Sequence, residues 1–418
     1  MAPADGWVYS CFMLDVTIAN APTTAPAADV AIIGAGPAGL CCALKLADQG
    51  HRVCVVERQA ESSIAEPAFD GREIALTHRS VQMLQSLGVW SHIDAQQISP
   101  LENAVVMTGR SPRQLRFDRP DGRCGALGYL VPNHLIRLAA HRQAAAHPRI
   151  GLIYDRRITD VRVSGSNVSV HLASHGAVQA QLLIAADSRF SDTRRSIGIA
   201  ADMLDFGKSM LVCRMQHAVP HQRTAWEWFQ GRSTLALLPL RGDTSSIVIT
   251  VPAAEAARLL ELEPPEFDRA VAAQFDHRLG AMHLCSSRHV YPLIATYSRQ
   301  FATEGCALIG DAAVGMHPVT AHGFNLGLQS IEHLAVELEA AVAARLDIGS
   351  LSVLRRYEAA HHRAARPMYL ATNAIVRLYT DDRPLHTLCR TVGLRLADRV
   401  SPIKRAIVAS LMDRVALR

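Results

Sequence analysis

Several things are scarce or missing in this 418-residue chain, and each narrows what it does. Lysine is almost absent: of 43 basic side chains only Lys45, Lys208 and Lys404 are lysine, and they are spread among 38 acidic residues rather than massed in a block. A net charge of +5 distributed in this way argues against a nucleic-acid partner. No apolar run reaches the roughly 18–20 residues of a membrane-spanning helix, and the longest, Val30 to Leu44, is interrupted by three glycines. The nine cysteines include no C-x-x-C pair, which excludes a disulfide scaffold and fits reduced thiols in the cytoplasm. Cys41, Cys42 and Cys54 read as core residues. Neither H-E-x-x-H nor G-x-S-x-G occurs, and His317 with His322, or Glu358 with His361 and His362, lack metal-ligand spacing. No metal and no acyl-transfer nucleophile are expected. The first residues carry no basic n-region, so 1–28 reads as a flexible leader.

What is present is nucleotide chemistry on an apolar frame, 49% of the residues being hydrophobic. Asp29 to Ile33 is a short β-branched run, followed by Gly34, Gly36 and Gly39 in G-x-G-x-x-G spacing and then an amphipathic helix ending at Gly50. The first glycine serves the tight turn, the second admits a pyrophosphate, and the third lets helix and strand pack closely. A second strand, Arg52 to Val56, ends at Glu57, where a carboxylate can accept ribose hydroxyls. Gly34, Gly36, Pro37, Ala38, Gly39, Glu57 and Arg58 are therefore the candidates for the adenosine half of a dinucleotide.

A second signal distinguishes FAD from NAD. Cys306 to Ile309 is another apolar strand, ending at Gly310-Asp311, and a carboxylate there can meet a second sugar-like chain, which FAD has in its ribityl group. Gly323, Phe324 and Asn325 open an apolar-periodic helix whose first amides can face an anionic flavin edge.

Three segments, GAGPAGL with Glu57, LLIAADSRFSDTRRSIGI at 182–199 and LIGDAAVGMHPVTAHGFNLGLQ at 308–329, resemble in order and spacing the fingerprints of the group A flavoprotein aromatic hydroxylases. Within that class, DGREIALTHRSVQMLQSLGVW at 70–90, GYLVPNHLIR at 128–137 and HPVTAHGFNLGL resemble the ubiquinone-biosynthesis hydroxylases, and the C-terminal stretch is most similar to the UbiM type. The resemblance runs from about Asp29 to the end. It implies an α/β fold: a Rossmann-like FAD-binding domain of para-hydroxybenzoate hydroxylase type, glutathione-reductase-like, with an inserted antiparallel-sheet substrate domain and C-terminal helices. The expected division is 29–103, 124–200 and 289–345 for FAD, 104–123 and 201–288 for substrate, and 346–418 as helices. The implied reaction is ring hydroxylation of a polyprenylated phenol or hydroquinone by flavin-activated O2, with NAD(P)H as electron donor. Arg72 and Asp187 join the cofactor set by resemblance, while Pro318 and His322 become the candidates beside the reacting centre. Departures from the pattern are Ser188 where relatives have glycine, Ala321-His322 where they have Gly-Gln, and Asn133 or His134 where they have arginine.

Between the fingerprints, 209–219, 233–240 and 245–251 are β-rich, and 104–123 reads as a hairpin, together one wall of a substrate pocket. Trp226-Glu227-Trp228-Phe229 is similar to a halogenase W-x-W motif, but period-two tryptophans mark one buried strand face. Tyr291-Pro292-Leu293 reads as a connector between sheet and domain. Residues 381–418 carry eight basic against four acidic residues among leucine, isoleucine and valine. Such an amphipathic surface packs on the body or a partner subunit, or rests on a membrane. The resemblance favours the membrane, peripherally on its inner face, and leaves a quinone-synthesis complex and a homo-oligomer as further expectations. A flavin dehydrogenase, a hydroxylase of another aromatic metabolite and a non-catalytic flavoprotein subunit are the rival readings.

Overall fold

The computed structural model describes residues 28–380 except 110, 112–113, 119–124, 166, 174–175 and 321. The leader up to residue 27, all of the expected helical tail beyond Thr380, and the tip of the expected 104–123 hairpin lie outside the described residues.

Val30–Ile33, Val53–Val56, Leu182–Ala185 and Cys306–Leu308 are short apolar strands buried throughout, the pattern of parallel strands covered on both faces. They form a sheet in the order 302–303, 306–308, 182–185, 30–33, 53–56 and 150–153, antiparallel only at the Ala302–Thr303 edge. Alternation along each strand divides the core. Val30, Ile32, Val53, Val55, Leu182 and Ile184 face the helices Pro37–Asp48, Asn133–Ala145 and Gly323–Ala343. Ala31, Ile33, Cys54, Val56 and Leu183 face a three-stranded sheet formed by Ile158–Ser164, Asn167–Leu172 and Ala177–Ala180. Burying one such aliphatic side chain contributes about 1.5–3 kcal/mol, so a one-residue slip that exchanged the two faces is heavily disfavoured. A thirty-residue helix, Leu351–Thr380, closes the described chain.

The second unit is a large sheet in the order 314–315, 289–298, 201–217, 244–252, 234–239, 224–229, 103–108 and 114–117, with Met282–Leu284 also pairing with the long strand Ala201–His217. It is antiparallel except where Thr224–Phe229 runs parallel to Asn103–Thr108. His289–Ser298, including the expected connector Tyr291-Pro292-Leu293, runs within this sheet alongside the long strand. One face packs Leu211, Leu235, Ile249 and Trp228 under the helices Ala253–Glu261 and Pro264–Gln274. Trp226 packs there too, against Phe275, so the period-two tryptophans do mark one face. The other face looks back toward the first unit, where Val212 lies against Gly71.

The two units are joined by an ion pair. Arg214 on the long strand donates from Nη2 and Nε to Glu73 Oε1 at 2.6 and 2.9 Å. Burial pushes the Glu73 carboxyl up to about 7 although Arg214 draws it down.

Ser188 holds the left-handed backbone that glycine would adopt freely, with φ +88°. Such a conformation costs an L side chain about 1–3 kcal/mol. Ser188→Gly is expected to stabilise the fold by about 1 kcal/mol, after allowing for glycine's greater freedom when unfolded. Denaturant unfolding would check this, and an unchanged or lower midpoint would contradict it.

Candidate functional site

The three glycines after the first strand have different tasks. Gly34 has φ +107°, and a Cβ there would stand 2.7 Å from the Ala186 carbonyl oxygen. At Gly39 a Cβ would fall 1.9 Å from the carbonyl oxygen of Gly34. Gly36 meets nothing within 4 Å and caps the helix begun by Pro37, so open space lies in front of the helix's first amides. Ala38 is packed beneath Gly310. At the end of the second strand Glu57 is buried; Ala35 N–H donates to its Oε2 at 2.7 Å and Gln59 N–H to its Oε1 at 2.9 Å. Each carboxylate oxygen keeps a second lone pair, which is what a ribose would use. Arg58 is exposed and points away into a polar cleft with Arg156 and Arg157.

The next two fingerprints are stitched to each other. Asp187 accepts from Ser191 Oγ on one oxygen and from Thr193 N–H and Oγ1 on the other, at 3.1 and 2.9 Å. Its carboxylate therefore organises its own loop. Arg194, fully enclosed, donates to the carbonyls of Arg189 and Ala312 at 3.1 and 3.2 Å. Arg189 in turn bridges Asp311 Oδ2 at 3.0 Å and the Ile294 carbonyl at 2.8 Å. Asp311 sits in the turn Gly310–Ala312 with part of its carboxylate still accessible.

Gly323 starts its helix with open space in front of it, and His322 is the buried residue just before. The Asn325 side chain is used within the protein: Thr77 N–H donates to Oδ1 at 3.1 Å and Nδ2 donates to the Ala75 carbonyl at 2.8 Å. What this residue offers a ligand is its backbone. Phe324 packs partly against the core, and Pro318 is exposed at the head of the turn Pro318–Thr320.

Two residues outside the sequence-derived set belong to this neighbourhood. His317 sits edge-on to Phe206 with centroids 4.8 Å apart, and with Lys208, Thr234, Thr250 and Val376 it lines a cavity of about 30 Å³, room for about one water molecule. Val319 N–H donates to its Nδ1 at 3.2 Å, so the neutral ring carries its proton on Nε2. Burial, reinforced by Lys208 and Arg189, pushes its pKa down to about 4, keeping the ring neutral at working pH. In the sequence His317 stands out only as a candidate metal ligand. The other residue is Arg137, one helical turn after Asn133. Arg72 is folded back on Asp70 at 2.6 Å and lies over the Tyr291 ring, and Asn133 Nδ2 donates to the same Asp70 oxygen at 2.7 Å. Behind them the buried Nε of Arg137 has no partner among the described residues, and burial lowers its pKa while Asp70 and Glu57 support its charge. His134, edge-on to Phe69, also has a buried ring nitrogen, Nδ1, without a partner among the described residues.

An orphaned cationic donor beside Glu57, together with unfilled space at Gly36 and Gly323, fits a long anionic dinucleotide laid from the glycine turn to the Gly323 helix. Arg137→Met keeps the aliphatic stem and removes the charge. Its expected effect is a roughly tenfold weaker FAD affinity, about 1.4 kcal/mol, with unfolding unchanged or slightly improved. Flavin titration of the apoprotein checks it, and undiminished affinity would take Arg137 out of the site.

Comparison with known proteins agrees with this geometry. Residues 27–372 match the FAD binding domain family. The chain is 42% identical over 387 residues to the ubiquinone hydroxylase UbiM of Neisseria meningitidis, covering 92% of this chain and 84% of that one. It is 31% identical to the ubiquinone hydroxylase UbiL of Rhodospirillum rubrum, over 96% and 94% of the two chains. Among solved structures, p-nitrophenol 4-monooxygenase PnpA of Pseudomonas putida superposes with a TM-score of 0.74 at 18% identity, over 93% of this chain and 99% of the other, a likeness of fold. The chain belongs to the FAD-binding monooxygenases and, among them, to the ubiquinone hydroxylase family.

Proposed function

We propose that this monooxygenase hydroxylates the aromatic ring of a polyprenylated phenol or hydroquinone during ubiquinone synthesis, with NAD(P)H as electron donor. The observation that carries the substrate class is the near full-length likeness to UbiM and UbiL, both ubiquinone hydroxylases. FAD, when bound, supplies the reduced flavin that activates O2. The chain supplies placement. Glu57 would accept from the ribose, with Arg137 and Arg72 countering the pyrophosphate charge, and Asp311 would meet the ribityl hydroxyls. The backbone amides from Gly323 to Asn325 would stabilise negative charge on the flavin edge. His317, neutral with its proton on Nε2, would donate to an oxygen on the substrate ring, and Pro318 and His322 would shape the space beside it. No helix among the described residues is long and apolar enough to cross a membrane. A polyprenyl substrate would then be met by peripheral contact, within or outside a complex of quinone-synthesis proteins.

Two outcomes test the reading. Asp311→Ala should purify without flavin, whereas a full yellow complement with unchanged turnover would remove Asp311 from the cofactor set. Expression in bacterial strains each lacking one ubiquinone ring hydroxylase should restore ubiquinone, with the new ring oxygen labelled from 18O2. Restored redox activity without label would instead make the protein a flavin dehydrogenase.

A further inference from the structure

Glu227 lies in the middle of the Thr224–Phe229 strand, between two tryptophans that point the other way. Alternation puts its side chain on the face opposite Trp226 and Trp228, away from the covering helices and toward the flavin unit. The register fixes its company. Val106, Glu227, Ala236, Val248, Val212 and His289 form one continuous row across six strands, all on this face. Toward the far end of the row Val212 and His289 lie against Gly71 of the DGR segment. Two residues along the strand, about 7 Å away, Phe229 lines the cavity that also holds His317 and Lys208.

Burial raises the Glu227 pKa to about 8, and no charge among the described residues contributes. Protein surrounds the residue, yet it keeps some accessible surface, which is how a group on the wall of an internal space behaves. Its backbone is held in the ladder, and its side chain has no hydrogen-bond or ion-pair partner among the described residues. The charged and titratable groups on this face lie elsewhere or are engaged. Arg214 is paired with Glu73, Lys208 donates to the Arg232 carbonyl, His289 is beside Ser287, and Glu102 at the sheet edge is held by Arg223. An isolated carboxyl in an apolar row costs stability and gives the fold nothing in return, which is the usual mark of a group kept for chemistry.

We propose that Glu227 is the base that receives the proton of the substrate's ring hydroxyl. The inference rests on the aromatic hydroxylase reading above. In the step, the O–H bond breaks, its electron pair stays on oxygen as phenolate, and the proton bonds to a carboxylate oxygen of Glu227. No electron changes hands. The phenolate ring is richer in electrons and so a better acceptor of electrophilic oxygen, and the raised proton affinity of Glu227 makes it a stronger base than an ordinary carboxylate. Because the folded pKa lies above the unfolded value, the residue's penalty is absent below the unfolded value near 4.5 and grows as pH rises through about 8.

The test uses FAD-loaded full-length protein, with flavin reduced by dithionite and then mixed with O2 and a short-chain prenylated phenol, so the electron donor does not enter. Glu227→Gln should form hydroxylated product on the order of 10²-fold more slowly, with flavin content and phenol affinity kept. Wild type should show a rate that rises with pH through about 8; the Gln variant should lose that limb, and Glu227→Asp should recover it in part. At pH 8.5 the Gln variant should melt at or above the wild-type temperature, an outcome a merely structural role would not give. An active wild type matched by Glu227→Gln within about threefold, well short of the 10²-fold typical of a lost base, would overturn the inference and leave the hydroxylase reading intact. A wild type that reoxidises flavin without hydroxylating any phenol would overturn both.

Discussion

The site depends on backbone meeting backbone where the turn after Val30–Ile33 touches the turn after Leu182–Ala185. A methyl group on Gly39 would stand far inside van der Waals contact with the Gly34 oxygen, and one on Gly34 would strike Ala186. That contact brings the end of the first strand, the Asp187 loop and, through Arg194 and Ala312, the Asp311 turn within reach of one ligand. The buried alternation of the parallel strands fixes their register; the glycines fix how closely the loops above them approach. Without the second, the first would leave three fingerprints on one sheet but not at one place.

A second constraint is the polar seam between nucleotide unit and large sheet. Asp70 gathers Arg72, Asn133 and, through its carbonyl, the Tyr291 hydroxyl, while Glu73 holds Arg214 across the boundary. A buried ion pair contributes little net stability when its desolvation is counted, yet removing one partner is costly. Its value here is orientation: it sets the angle at which the sheet face carrying Val212, Phe229 and Glu227 confronts the loops that carry Gly71 and His317. The low dielectric that makes the seam rigid also keeps His317 neutral and Glu227 protonated over part of the working range.

The parts of this arrangement legible in the sequence were those written locally. Glycine spacing, short apolar runs ending in Glu57 or at Gly310-Asp311, and the Gly323 helix start are all short-range patterns, and the period-two tryptophans showed which face of their strand is buried. Long-range consequences were not legible. That the Asn325 side chain ties Thr77 and Ala75, some 250 residues away in sequence, and so leaves its backbone to face a ligand, is one of them. Asp187 likewise turns out to brace its own loop. The parallel joint between Thr224–Phe229 and Asn103–Thr108 has no local signature, since both strands alternate in the same way. Arg137 did have one, a helical i, i+4 spacing from Asn133 that aims both side chains at the same space.

The described thiols in the two cores are all deeply buried: Cys41, Cys42, Cys54, Cys213 and Cys306, with only Cys285 exposed. Burial pushes Cys41, Cys213 and Cys306 to about 12 and Cys54 to about 11, and Cys42 higher still. Thiolates, not thiols, react with peroxides. A protein whose chemistry brings reduced flavin and oxygen together releases hydrogen peroxide whenever the oxygen is not passed on. Packing that serves the cores of both units therefore also makes those five sulfurs poor targets for the by-product of the enzyme's own misfires, and leaves oxidative wear to fall on the surface.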